Sequence, residues 1–135
     1  MPKPPISATL QWVGGLRFTA RTSRAEITLD SESQAGPSPP EALAMALAGC
    51  MAIDVADIVV KGRHVLTALE ASIVGQRVDA APHRFHAFTV HFIVTGAVPD
   101  AAVDRAIQLS HDKYCSVWHS LRQEIRLTTT FEVRP

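Results

Sequence analysis

Two cysteines are the residues of this chain best suited to carry chemistry. Cys50 lies in an uncharged stretch, whereas Cys115 follows Lys113 and Tyr114 where the pattern predicts the start of a short helix. A helix N-terminus and a nearby cation both stabilise a thiolate. Two thiols in such settings suit a redox pair in which one sulfur attacks and the other resolves. A lone cysteine in an apolar helix is also commonly a small buried side chain, so this alternative stays open for Cys50.

The segment around the first cysteine is predicted to be a long helix buried on all sides. Ser38 is a good N-cap, Pro39 suits the first helical position, and Glu41 completes a capping box. Residues 42–53 contain no charged side chain, whereas a surface helix shows a polar face at helical spacing. The run is also shorter than the roughly twenty apolar residues that span a bilayer. We therefore expect a core helix that a second subunit helps to enclose.

The remaining pattern predicts strands on both sides of this helix and two shorter helices near the C-terminal end. Alternating apolar residues indicate three strands before the helix, a long hairpin after it, and one final strand. Gly14-Gly15 is typical of a two-residue hairpin turn. The predicted strands cover residues 7–13, 16–21, 25–29, 66–78, 88–94 and 125–133, the central helix ends near Gly62, and the later helices begin near Pro99 and Cys115. This order predicts one α+β domain, residues 1–135, with antiparallel sheets.

Composition argues against several classes of partner. Thirteen basic and thirteen acidic residues give a formal net charge of zero, so we expect neither nucleic-acid nor membrane binding. The first residues are rich in proline and lack the apolar region of a signal peptide. Two cysteines without such a signal favour a reducing compartment. We therefore expect a cytoplasmic protein.

The six histidines do not have the spacing of a metal site. His86 and His91 are five residues apart, so they face opposite sides of a regular strand. His111 and His119 lie across a predicted helix break, and neither HExxH nor CxxC occurs in the sequence. We therefore expect no metal ligands.

Several motifs follow one another in a fixed order along the chain. Pro39-Pro40-Glu41 comes before Ala48-Gly49-Cys50, then Phe92-Ile93-Val94-Thr95-Gly96 ends a strand, and Lys113-Tyr114-Cys115-Ser116-Val117 lies downstream. Together they resemble the OsmC/Ohr family of osmotically inducible and organic hydroperoxide resistance proteins, over the full length of the chain. The match is closest to the OsmC-like branch, whose substrate is generally unassigned. The resemblance implies an intertwined homodimer in which antiparallel sheets surround a long buried central helix.

The resemblance also implies a thiol-dependent peroxidase that reduces organic hydroperoxides. Cys50 matches the peroxidatic cysteine, whose thiolate attacks the O–O bond and becomes a sulfenic acid. Cys115 matches the resolving cysteine, which condenses with that sulfenic acid to a disulfide. Glu41 matches the glutamate that holds an arginine against the thiolate, and Arg17 is the nearest candidate for this arginine, with Arg21 second. A thiol or dithiol would supply the electrons, and no bound cofactor is expected because the chemistry belongs to sulfur.

Two alternatives follow from the residues themselves. Nine residues of straight helix turn by about 900° and rise by about 13.5 Å. Glu41 therefore reaches Cys50 only if the helix breaks between them or if the glutamate belongs to the partner chain; otherwise it is a capping residue. The alternative function is a non-enzymatic OsmC-like dimer that binds an apolar small molecule or senses redox state. A cation at the Cys50 sulfur would distinguish the two functions. It favours the thiolate at neutral pH, which the peroxidase needs.

Overall fold

The structure is a computed structural model that describes residues 2–135. Its contacts divide the chain into two compact units, one ending at Leu43 and the other beginning at Ala44. The predicted α+β class is confirmed, since two three-stranded sheets and one long helix account for most of the chain. The elements are β1 (Thr9–Gly14), β2 (Arg17–Arg21), β3 (Glu26–Asp30), α1 (Pro39–Lys61), β4 (Val65–Arg77), β5 (Phe85–Ala97), α2 (Asp100–Leu109), α3 (Ser116–His119) and β6 (Arg126–Arg134).

The first unit contains an antiparallel meander with the strand order β1-β2-β3. Its first hairpin turn lies one residue later than predicted, at Gly15-Leu16, because Gly14 still pairs with Arg17. The register shifts between Trp12 and Gly14, which is the irregularity of a β-bulge. Gly14 and Gly15 have φ angles of 114° and 55°, values that favour glycine because it has no Cβ.

The capping box predicted for α1 is confirmed. The Ser38 N–H donates to Glu41 Oε1 at 2.9 Å, and the Glu41 N–H donates to Ser38 Oγ at 3.3 Å. The helix then continues without interruption to Lys61, close to the predicted end at Gly62. This continuity excludes a helix break between Glu41 and Cys50.

The prediction that α1 is buried on all sides is wrong for the single chain. Residues spaced by four along the helix form one buried face, which consists of Leu47, Met51, Val55 and Val59. The other face exposes Met45, Ile53 and Val60, which are 59%, 71% and 58% exposed. The two faces could not be distinguished from the residue types, because both are apolar. The helix is also longer than the twelve-residue run, so its length and composition would allow it to cross a membrane; its buried face instead makes it a core helix of the second unit.

The second unit contains a mixed sheet with the strand order β4-β5-β6. Strands β4 and β5 form the predicted long antiparallel hairpin, but β6 pairs with β5 in parallel. The prediction of purely antiparallel sheets is therefore wrong at this pair. Parallel neighbours require a crossover connection, and the two helices between β5 and β6 supply it. Alternation of apolar residues indicates which face of a strand is buried but carries no information about its direction.

One face of this sheet provides the core of the second unit. Phe88, Val90, Phe92 and Val94 alternate along β5 and are at most 1% exposed. They cluster with the buried face of α1 and with Val103, Ala106 and Ile107 of α2. Gly96 ends this row with a φ of 135°, and a Cβ built there would lie 2.1 Å from the Val65 carbonyl oxygen. The core is thus closed at this end of β5 by a close backbone approach that only glycine allows.

Candidate redox site

Both cysteines belong to the second unit, and both are free thiols. Cys50 is half-buried on α1 and packs against the hydrophobic core. Cys115 is completely buried at the N-cap of α3, where its Sγ accepts the Trp118 N–H at 3.3 Å. The Cys50 side chain is one of the groups that act on the Cys115 thiol, and both side chains pack in the same hydrophobic cluster. The structure therefore brings the two thiols together.

The environment of Cys115 favours a protonated thiol. Its pKa is raised to about 11, chiefly by burial and to a smaller extent by the interactions with Cys50 and Asp54, although the hydrogen bond from the Trp118 N–H lowers it. The expectation that a helix start would favour a Cys115 thiolate is thus wrong in its net direction. Helix α3 has four residues, and the cost of desolvating a charge exceeds what one backbone donor returns. At neutral pH this sulfur is a thiol, the form that resists direct oxidation by peroxide.

A polar pair that the sequence did not reveal lies in the same unit. Ser110 is completely buried, and its Oγ donates to Asp54 Oδ2 at 2.8 Å. Asp54 follows Cys50 by four residues, so the two share a helix face. That spacing was the available signal for Asp54. Nothing in the sequence indicated Ser110.

Arg17 is held within the first unit by a buried carboxylate. Its Nε donates to Asp30 Oδ2 at 3.0 Å, and its terminal nitrogen donates to Gln34 Oε1 at 3.2 Å. Asp30 is the last residue of β3 and is 1% exposed, and its carboxylate accepts backbone hydrogen bonds from the loop that follows. Hydrogen bonds from the backbone of Ala35 and Glu32, followed by those from Arg17 and Gln34, lower its pKa to about 2. Sequence reasoning missed Asp30, which organises both the loop and the arginine.

The other predicted site residues of the first unit also have local partners. Arg21 forms an exposed ion pair with Glu26 on the neighbouring strand. Glu41 accepts hydrogen bonds from the Ser33 hydroxyl and the Ser38 N–H. These contacts, that from Ser33 first, lower the pKa of Glu41. Within residues 2–135 of one chain, the ion pairs include none between an arginine and Glu41.

The first unit also contains an apolar hollow of about 420 Å³. Its lining consists of Leu10, Leu16, Phe18, Leu29, Ser31, Pro39 and Pro40. Two histidines on other elements have hydrogen-bonding partners: His91 Nδ1 lies 2.7 Å from Thr130 Oγ1, and His119 Nε2 lies 2.9 Å from the His111 carbonyl oxygen. In the part of the chain that the structure describes, no three His, Cys, Asp or Glu side chains are grouped as metal ligands.

Comparison with known proteins gives this fold a family. The family model described as OsmC-like protein matches residues 30–130. Protein YhfA of Escherichia coli is 40% identical over 131 residues, which cover 95% of this chain and 98% of YhfA. A hypothetical protein from Aquifex aeolicus has a TM-score of 0.90 at 26% identity, with 98% of both chains covered. An organic hydroperoxide resistance protein OsmC from Legionella pneumophila shares the fold, with a TM-score of 0.72 at 14% identity over 98% of this chain and 100% of the other. This chain belongs to the OsmC-like protein family.

Proposed function

We propose that this protein is a cysteine-based peroxidase that reduces organic hydroperoxides. The observation that carries the proposal is the meeting of two free thiols in one core, Cys50 half-buried and Cys115 fully buried. Family membership supports it, since relatives of the same fold include organic hydroperoxide resistance proteins from Legionella pneumophila and Bacillus subtilis. The different exposure of the two sulfurs matches the two roles. The more exposed residue, Cys50, reacts with the hydroperoxide. The buried residue, Cys115, then reacts with the oxidised Cys50.

In the proposed reaction, the Cys50 thiolate attacks one oxygen of the hydroperoxide and the O–O bond breaks. The alkoxide leaves and takes up a proton as an alcohol, while Cys50 becomes a sulfenic acid. The sulfur of Cys115 then attacks the Cys50 sulfur. The displaced hydroxide combines with the Cys115 proton as water, and a disulfide remains. A thiol or dithiol reductant restores both thiols, so no bound cofactor takes part.

Arg17 and Glu41 are proposed to complete this site. The resemblance gives Arg17 the role of the cation that favours the Cys50 thiolate and gives Glu41 the role of the carboxylate that orients the cation. Because α1 is continuous between Glu41 and Cys50, we propose that the glutamate near each Cys50 belongs to a second chain. In the single chain Arg17 forms an ion pair with Asp30. The proposed role of Arg17 therefore has to be tested by substitution, and Arg21 is the second candidate.

The proposed assembly is a homodimer. Met45, Ile53 and Val60 give α1 an exposed apolar face that no charged residue interrupts between positions 42 and 53. Contiguous apolar surface of this kind is typical of a protein–protein interface. A second copy of the same helix would cover this face and would bring its Glu41 with it. Light scattering at micromolar concentration is expected to give twice the mass of the chain, and a stable folded monomer would contradict the proposal.

The peroxidase is tested by intact mass and free-thiol counts before and after one equivalent of cumene hydroperoxide. The wild-type protein should lose both thiols and form one disulfide. Cys50→Ser should abolish consumption, and Cys115→Ser should stop after one turnover with about 16 or 32 Da added. Arg17→Ala should slow the attack of Cys50 on the hydroperoxide. If the rate is unchanged, the matched variant Arg21→Ala tests whether Arg21 has this role instead. Equal, slow consumption by wild-type protein and Cys50→Ser would overturn the peroxidase.

A second candidate function is the non-enzymatic binding of an apolar small molecule. It is favoured by the apolar hollow of about 420 Å³ in the first unit, large enough for a small ligand. Saturable binding of a fluorescent apolar probe, unchanged in Cys50→Ser and lost in Phe18→Asp, would support this function. We propose the cytoplasm as the location, because the peroxidase needs both free thiols to be reduced again after each turnover, which a reducing compartment favours.

A further inference from the structure

The proposed chemistry leaves unused one polar contact between α1 and the segment that carries Cys115. Ser110 Oγ donates to Asp54 Oδ2 at 2.8 Å. Ser110 and Asp30 are the two buried polar or charged residues of the described chain. A buried hydroxyl costs free energy unless it is hydrogen-bonded. The half-buried carboxylate of Asp54 supplies the partner that this hydroxyl requires.

Ser110 connects this carboxylate to the backbone of Cys115. Residues Ser110–Tyr114 form a single π-helical turn after α2, and the Ser110 carbonyl oxygen accepts the Cys115 N–H at 2.9 Å. Such turns are rare and occur frequently at functional sites. The same residue therefore holds Cys115 with its backbone and α1 with its side chain.

Asp54 lies on the element that also carries the other thiol. It follows Cys50 by four residues on the continuous helix α1, so their side chains lie one turn apart on one face. The hydrogen bond thus fastens the turn that bears Cys115 to the face that bears Cys50. A disulfide tolerates only a narrow range of separations between its two residues.

We propose that the hydrogen bond between Ser110 and Asp54 positions the Cys115 thiol for disulfide formation with Cys50. Both are positioning residues, because they act on Cys115 through the turn; the charge of Asp54, which also raises the pKa of Cys115, is tested separately below. The proposal rests on the proposed peroxidase for its physiological setting. Disulfide formation itself needs only an oxidant, which can be glutathione disulfide: the two protein thiols become a disulfide as glutathione disulfide is reduced to two glutathione thiols.

The first test therefore uses glutathione redox buffers and requires no peroxidase activity. The fraction of disulfide at equilibrium gives the effective concentration of Cys115 relative to Cys50. Ser110→Ala should lower this concentration by about tenfold, the effect of one lost hydrogen bond. The matched control is Ser120→Ala, which removes an exposed hydroxyl that bonds only the Ser116 carbonyl oxygen, at 2.7 Å. This control should equal wild-type protein.

Two substitutions of the partner distinguish hydrogen bonding from charge. Asp54→Asn keeps an acceptor oxygen for the Ser110 hydroxyl and should remain within about twofold of wild-type protein, whereas Asp54→Ala should match Ser110→Ala. If Ser110→Ala does not fold, the two Asp54 variants still decide the question. Equal effective concentrations in wild-type protein and Asp54→Ala would overturn the proposal. A loss in Asp54→Asn as large as in Asp54→Ala would also overturn it, because the effect would then belong to the charge.

A second test separates the two steps with excess cumene hydroperoxide. In Ser110→Ala the rate at which Cys50 becomes a sulfenic acid should equal the wild-type rate. The fraction of protein that gains about 32 Da, the sulfinic acid, should rise because resolution is slower. General destabilisation would change both steps. If wild-type protein consumes no hydroperoxide, the proposed function fails, and the glutathione test still decides the positioning role.

Discussion

The two sheets of this chain differ in how far their apolar side chains are buried. Along β5, Phe88, Val90, Phe92 and Val94 are at most 1% exposed and cluster with the buried faces of α1 and α2. In the β1-β2-β3 sheet, Leu10, Trp12 and Ile27 are 52%, 64% and 52% exposed. Both sheets show the alternation that predicts a covered face. The difference shows that alternating apolar residues predict a strand face that packs against something. They do not indicate whether the packing partner belongs to the same chain.

The largest expected effect lies in the covered sheet. Phe92→Ala should lower the free energy of unfolding by about 3–5 kcal/mol, because it leaves a cavity in a core that cannot collapse around it. The matched variant is Phe18→Ala in β2, where the side chain is already 39% exposed, and its cost should be smaller. Urea unfolding of both variants measures the difference. Equal costs would mean that the first sheet is covered in solution as fully as the second.

The cover of the exposed apolar residues can be tested through α1. Ile53→Glu places a charge on a side chain that is 71% exposed in the single chain. If a second copy covers this face, the buried charge should raise the dimer dissociation constant by about 100-fold or more. Sedimentation over a range of concentrations measures this constant. The control is Ala101→Glu in the first turn of α2, where an acidic side chain is tolerated. A dissociation constant unaffected by Ile53→Glu would rule out α1 as the interface.

Two glycines with positive φ sharpen the contrast between the sheets. A Cβ at Gly96 would lie 2.1 Å from the Val65 carbonyl oxygen, whereas a Cβ at Gly14 would have no neighbour within 4 Å. Gly14→Ala should therefore cost about 1–2 kcal/mol from backbone strain alone, and Gly96→Ala should cost more. Thermal unfolding of the two variants under one set of conditions gives the order. A smaller effect at Gly96 would contradict the tight strand end described for β5.

The smallest effect concerns pH and is confined to the first unit. The backbone hydrogen bonds of Ala35 and Glu32, together with Arg17, lower the pKa of Asp30 to about 2, below the value of about 3.9 in an unfolded chain. A lowered pKa gives stability that is present above pH 4 and is lost as the pH falls towards 2. Trp12 fluorescence in a Trp118→Phe background should report this loss of stability. The loss should be smaller in Asp30→Asn, which has no carboxyl group to protonate at position 30. An acid transition at Trp12 that is identical in Asp30→Asn would contradict this assignment.

Much of the fold was predictable because its signals are local. The capping box at Ser38 and Glu41, the hairpin of β4 and β5, and the helix starts at Asp100 and Ser116 all depend on residues close in sequence. The parallel direction of β6 was not predictable, because it depends on the path of the crossover. The second face of α1 was also missed, since an apolar residue looks the same whether its own chain or another covers it.

The candidate site was predictable in part and for the same reason. Cys50 and Cys115 stood out by type and by their places in a known order of motifs. Asp30 and Ser110 did not, because an aspartate or a serine acquires its importance only when the fold buries it. The net pKa shift of Cys115 had the wrong expected direction, since the sequence shows the helix start beside this residue but not the depth at which it is buried.

The parallel pairing of β5 with β6 has a consequence for how the surroundings of Cys115 form. His91 and Thr130, which face each other across this pair, are 39 residues apart in sequence, whereas β4 and β5 are joined by a short local turn. Contacts between residues distant in sequence form slowly, because the chain loses conformational entropy before these contacts contribute favourable free energy. Cys115 lies within the crossover that this slow step completes. The surroundings of Cys115 are therefore complete only when this long-range pairing has formed.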